Sequence, residues 1–254
     1  MPCQGPVQAS FDPDSLYSVL DQYALPDSVR ARAYEGQDPP ERARLKQAIA
    51  RIFALFPPCA LQEKRTRKED SFLVEESWQA ASGVLCLCPC DYPSPAALLA
   101  ALVPAALARV EHIAVCFVAE EKIQENEAVD RAFAALLAAL DLGGFETACL
   151  IPARVASALM ASEKTRPGRL VLLGAVEQWE GLLVEAARQG VPAMPLLALP
   201  ALLPQGLSRQ DDDTAKPFVP GLSLDSGHEG VWVWPGLVPD WFRDCSLKLS
   251  SCCS

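Results

Sequence analysis

Between residues 80 and 199 short apolar runs alternate with Ala/Leu-rich stretches, and this alternation limits the possible folds more than any other feature of the chain. Residues 83–88 (GVLCLC) are apolar without an amphipathic period, and Pro89, Asp91, Tyr92 and Pro93 close the run. A run that short, bounded by turn residues, reads as a buried strand. Ser94 then offers a side-chain oxygen where an N-cap belongs, and Pro95 suits the first helical position. Residues 96–110 read as a helix interrupted by Pro104, and residues 112–118 (HIAVCFV) as a second strand. Strand, helix and strand in such close succession make a βαβ unit, whose parallel strands bury both faces.

The pattern continues. Residues 128–142 read as an amphipathic helix stopped by Gly143 and Gly144, and residues 146–151 as a strand. A short helix over 153–162, a strand over 169–173, a helix over 176–189 closed by Gly190 and an apolar run over 191–199 follow. Five strands alternating with four helices predict an α/β fold: a doubly wound, mostly parallel sheet with helices on both faces.

On either side the character changes. Residues 14–23 and 39–56 read as amphipathic helices, the second with Leu45, Ile49, Ile52, Phe53 and Phe56 at helical spacing. The charge run 64–70 (KRTRKED) reads as a solvated loop, and residues 72–78 as an extended lead-in. Residues 208–220 read as a polar linker. Beyond it, residues 230–242 (GVWVWPGLVPDWF) form an aromatic arm with a short strand at 231–234. The expected division is an N-terminal helical segment (1–78), a Rossmann-like domain (79–204), and a linker with a C-terminal arm (205–254). So much aromatic surface must be covered, and the arm is expected to make a homodimer through residues 230–242 or to fold back on its own subunit.

Composition narrows the function. A net charge of -10 opposes binding to nucleic acid or to an anionic membrane, since phosphates call for a basic face. No apolar stretch reaches the ~20 residues of a bilayer span without a proline, and a cytoplasmic protein is expected. The ten cysteines do not resemble a disulfide framework. Cys86, Cys88, Cys116 and Cys149 fall in expected strands, where a thiol packs as a small hydrophobe. The Cys86, Cys88, Cys90 spacing is not that of zinc ligands. Cys252 and Cys253 read as an exposed, oxidisable tail.

Motifs for chemistry are sparse. A dinucleotide site calls for glycines after the first strand so that backbone can approach the pyrophosphate, but Cys90 and Asp91 stand there. After the fourth strand come Gly174, Ala175, Val176 and Glu177, with a single glycine. These two turns, with Cys90, Asp91, Tyr92, Ser94, Gly174 and Glu177, are the candidate ligand-binding residues, through a helix N-terminus or otherwise. Of the two histidines, His112 opens a strand and reads as structural. His228 lies with Asp225 and Glu229 in a polar loop, and no metal site is expected. A serine or cysteine nucleophile would lack a histidine base.

Several of these residues resemble the first nucleotide-binding domain of the histidinol dehydrogenases, which have an aldehyde-dehydrogenase-like fold. The resemblance rests on Trp78, Gly83, Pro89, Pro104-Ala105, Val110, residues 113–116 and the stretch 136–161, and covers roughly residues 40–200. It implies NAD as a cofactor. However, the family's cofactor-contacting tyrosine falls near Leu87, with Tyr92 displaced into the turn. Its Gly-Gly is Cys90-Asp91, and its Gly-Pro-Gly-Asn is Gly174-Ala175-Val176-Glu177. The half of the family chain with the zinc ligands and the Glu-His acid/base pair has no counterpart. The expectation is a shortened, non-catalytic relative serving as a binding or assembly module. The alternatives are a small NAD(P)-dependent oxidoreductase that holds a nucleotide or other small molecule at the two turns, or half of an active site completed by a partner chain.

Overall fold

A computed structural model describes residues 12–70, 72–119, 130–196, 233–234 and 236–251. Three helices come first: α1 (Pro13–Leu20), α2 (Asp27–Glu35) and α3 (Pro39–Leu55). A hairpin of β1 (Gln62–Glu69) and β2 (Phe72–Ala80) leads into the alternating region. That region runs β3 (Val84–Pro89), α4 (Pro95–Leu107), β4 (Ile113–Val118), α5 (Arg131–Gly143), β5 (Thr147–Ile151), α6 (Ala153–Ala161), β6 (Arg169–Leu173), α7 (Glu180–Arg188) and β7 (Ala193–Leu196). Strand β8 (Arg243–Ser251) is the last element.

The five-stranded sheet is parallel throughout, in the order β5-β4-β3-β6-β7, as the alternation predicts. Central β3 is buried from Val84 to Cys88, because helices cover both faces. Cys86, Cys88, Val115, Phe117 and Val171 face α4 and α5, where Leu98, Leu99, Leu102, Phe133 and Leu137 complete the core. Leu85, Leu87, Cys116, Cys149 and Leu172 face the other way, onto α1, α6 and α7. Helix α4 begins as its sequence asks: Ser94 Oγ accepts from the Ala97 N–H at 3.2 Å, and Pro95 fills the first turn. Helix α5 stops at Gly144, whose φ of 74° is a left-handed turn that glycine adopts without cost.

The charge run at residues 64–70 is not a loop. It is most of β1, paired with β2 along its whole length, and β8 pairs with the other side of β2. The three strands form an antiparallel wing in the order β1-β2-β8. A charged, polar sequence suits a strand exposed on both faces, and ion pairs to β2 such as Lys64–Glu75 (3.2 Å) hold the register. Helix α2 lacks a strong apolar face and buries only Val29 and Ala33.

Within the described residues, three apolar side chains of the aromatic arm are covered by their own chain. Trp234, Leu237 and Phe242 lie in the core beside α4, and Trp234 Nε1 donates to the Ala97 carbonyl at 2.8 Å. The surface that motivated a dimer through residues 230–242 is thus packed intramolecularly at these three positions; Trp232 lies outside the described residues. Val233 and Trp234 are not in a strand, and the strand of this region is β8 instead. Residues 208–220, His228 with its neighbours, Cys252 and Cys253 also lie outside the described residues.

Arg169, at the start of β6, clamps the wing to the parallel sheet. Its guanidinium donates to the backbone carbonyls of Trp241 (2.7 Å) and Arg243 (2.7 Å), and pairs with the Asp244 carboxylate at 2.9 Å.

Candidate functional site

Strand order reverses between β3 and β6, and in open α/β sheets ligands bind in the crevice beyond the carboxyl ends of the strands at that point. The turns after β3 and β6 therefore share the expected location, and the fold brings the Cys90 turn and the Gly174 turn together. The contact is direct. Gly174 has a φ of 113°, and a Cβ on it would lie 3.0 Å from Pro89 Cγ and 3.0 Å from Gln178 Oε1. The close approach that glycine permits is taken up by the Pro89 ring and the Gln178 side chain. Trp179 holds this turn from beneath, with its Nε1 donating to the Leu173 carbonyl at 3.0 Å.

The other expected residues have separate fates. Tyr92 is buried in the α4 side of the core, and its Oη has no hydrogen-bond partner among the described residues. Burial first, then the neighbouring Cys88 and Cys86, pushes this phenol well above its ordinary range. Ser94 Oγ is occupied in capping α4. The half-buried Cys90 thiol donates to the Val118 carbonyl at 3.8 Å, and burial, helped by Asp91, pushes it up to about 11. Cys86, Cys88 and Cys116 are raised as well, with burial the leading cause for the first two and contact with the Cys149 thiol for the third. A raised pKa keeps a thiol protonated at neutral pH, so these are packing groups rather than activated nucleophiles. Asp91 and Glu177 are exposed. The accessible candidates are hence the two carboxylates.

This arrangement does not fit the pyrophosphate of a dinucleotide. Such a ligand calls for backbone N–H groups on an open glycine turn and a neutral or basic rim. Here a proline ring sits against the one glycine, and carboxylates stand at the surface. His112 is at the opposite end of the sheet, just before β4, with its Nδ1 3.3 Å from the Tyr17 hydroxyl. Among the described residues no group of three or more His, Cys, Asp or Glu side chains is arranged to hold a metal ion. Nor is any described helix long and apolar enough to cross a membrane.

Pro89 and Gln178 were not legible as site residues. Pro89 carries a turn signal in the sequence, and only the reversal of strand order sets it against Gly174.

No known family model and no curated protein matches the sequence. Among solved structures, histidinol dehydrogenase from Elizabethkingia anophelis superposes with a TM-score of 0.52 at 13% identity, over 76% of this chain and 49% of that one. The fold is aldehyde-dehydrogenase-like. An aldehyde dehydrogenase from Brucella melitensis biovar abortus 2308 (TM-score 0.41, 13% identity, 75% of this chain and 40% of that one) is also similar. So is betaine aldehyde dehydrogenase from Staphylococcus aureus (0.40, 14%, 75% and 39%). The chain spans about half the length of the first of these proteins.

Proposed function

We propose that this chain is a shortened relative of the histidinol dehydrogenase nucleotide domain that serves as a binding or assembly module and not as a dehydrogenase. The observation that carries this reading is the contact of Pro89 and Gln178 with Gly174 at the switch point, where a cofactor's phosphates would need open backbone. Three further features support it. Ser94 is spent on its helix cap, the Cys90 thiol is kept protonated by burial, and the charged residues that the two turns expose, Asp91 and Glu177, are acidic.

Calorimetric titration of the full chain with NAD and NADH tests the proposal, alongside an assay of histidinol oxidation. The expected result is no saturable binding in the micromolar range and no turnover. Micromolar NAD affinity would instead favour the small-oxidoreductase alternative. In that case Asp91→Ala and Glu177→Ala should tighten binding, by removing charge that repels phosphate.

A further inference from the structure

A buried polar group without a hydrogen-bond partner has lost its hydration and gained nothing in return, so each one calls for an explanation. Three such nitrogens lie on two neighbouring side chains of the wing: Trp78 Nε1, and Nε and Nη2 of Arg243. The strand register brings these side chains together. Trp78 is opposite Glu63 of β1 on one side and Cys245 of β8 on the other, and Ala80 is opposite Arg243. Opposite residues share a face, as do alternate residues along a strand, so Glu63, Trp78 and Arg243 lie on one face of the wing. The Arg243 side chain crosses that face. Its guanidinium lies 5.6 Å from the centre of the Trp78 ring, and its Nη1 is 3.1 Å from a Glu63 carboxylate oxygen.

Only one end of this guanidinium is used. Nη1 takes both carboxylates, Glu63 at 3.1 Å and Asp240 at 3.4 Å, while Nε and Nη2 have no partner among the described residues. Those two nitrogens form an edge whose N–H bonds run side by side, a fork that matches two oxygens of one oxyanion. The fork is also held in place, because the Arg243 carbonyl accepts from Arg169 at 2.7 Å. The side chain is 3% exposed, so bulk water does not satisfy the fork from outside. Entry is nonetheless short. Asp240 is 66% exposed, and the half-buried Cys59 thiol lies beside Arg243.

We propose that the Nε–Nη2 edge of Arg243 is a binding site for the carboxylate of a small organic acid, with Trp78 Nε1 as a further donor beside it. Charge sets the class of ligand. Glu63 is shared with Arg65 at 2.6 Å, so two cations, Arg65 and Arg243, already balance two carboxylates, Glu63 and Asp240. A ligand therefore adds its full charge to a neutral cluster, and one negative charge costs less than two. A planar monoanion with two oxygens meets both conditions, whereas a phosphate dianion fails the second. The carboxylates on the Nη1 end offset part of the attraction, so the site is weak. It is also separate from the two turns. The wing joins the parallel sheet at the starts of β3 and β6, and the Cys90 and Gly174 turns follow the ends of those strands. The site thus stands whether or not the turns hold a nucleotide.

Nitrogen-edited NMR of the full chain follows the Arg243 Nε–H and Trp78 Nε1–H signals during titration with acetate. Chloride and inorganic phosphate at matched ionic strength are the controls. The expected result is saturable movement of both signals with acetate in the millimolar range, and little response to either control. Arg243→Lys keeps the charge that faces Glu63 and Asp240 but has no fork, and it should weaken acetate binding by about tenfold, read at Trp78. Unchanged circular dichroism shows that the variant folds, and the two wild-type signals test the site even where it does not. Four results would overturn the proposal. They are signals indifferent to acetate, an equal response to chloride or phosphate (an adventitious ion only), a lysine variant that binds as tightly, and a long-lived water at these N–H groups that acetate does not displace.

Discussion

The two sheets of this molecule reach the same extended backbone by opposite routes. Strand β3 is Val-Leu-Cys-Leu-Cys-Pro, buried on both faces and driven by removal of apolar surface from water. Strand β1 is Gln-Glu-Lys-Arg-Thr-Arg-Lys-Glu, exposed on nearly every residue, with no apolar side chain at all. Its extended state depends on backbone pairing to β2 and on cross-strand ion pairs: Lys64–Glu75, Arg67–Glu76 at 3.4 Å, and Glu63 with Arg243 at 3.1 Å. The Lys64 and Arg67 pairs lie at the surface, where solvent screens them, and only Arg243 of the three cations is buried. The difference teaches that the parallel sheet can stand by its own core, whereas the wing persists because its ends are tied to that core.

The largest expected effect breaks the comparison at its strongest side. Leu87 is fully buried between β3 and the α6–α7 layer, so Leu87→Ala should cost about 3–5 kcal/mol in urea unfolding. Leu247→Ala in the wing should fall within about 0.5 kcal/mol of wild type. Equal losses at the two sites would mean that the wing has a core of its own.

Next is the tie between the sheets. Arg169 is buried, and it bonds the Trp241, Arg243 and Gly168 carbonyls together with the Asp244 carboxylate. Arg169→Met leaves those acceptors without their donor, and a loss of about 3 kcal/mol is expected. Hydrogen exchange sharpens this test, because amides of β8 should lose protection while those of β3 keep theirs. Uniform loss across both sheets would place the tie elsewhere.

The smallest effect is a difference in pH response. Core thiols are held above their ordinary value of 9.0, Cys90 up to about 11. Above pH 9 the unfolded chain gives up thiol protons that the folded chain retains, so this stabilisation is complete below 9 and is lost as pH rises toward 11. Wing carboxylates run the other way. Glu63 is held below its ordinary 4.5 chiefly by Arg243, and Glu75 chiefly by Lys64, so their contribution is present above that value and fades as pH falls. Cys90→Ala should therefore flatten the fall in denaturation midpoint between pH 9 and 11 and leave the acid limb unchanged. A flattened acid limb would contradict this assignment.

The parallel sheet was legible in advance because strands buried on both faces must be continuous apolar runs, and β3, β4, β5 and β6 are written that way. The turns after β3 and β6 were legible too, since proline, glycine and an N-cap serine act locally. Strand β1 was not, because a charged segment carries no burial signal. Its conformation is decided by β2, and the third strand of that sheet is β8, far along the chain. The site divides in the same manner. Their order after two apolar runs put Cys90, Tyr92, Ser94 and Gly174 in two turns. Whether Tyr92 enters the core, Ser94 serves its helix and Gly174 receives a proline ring depends on which strand ends the fold makes neighbours, and contacts between distant segments decide that.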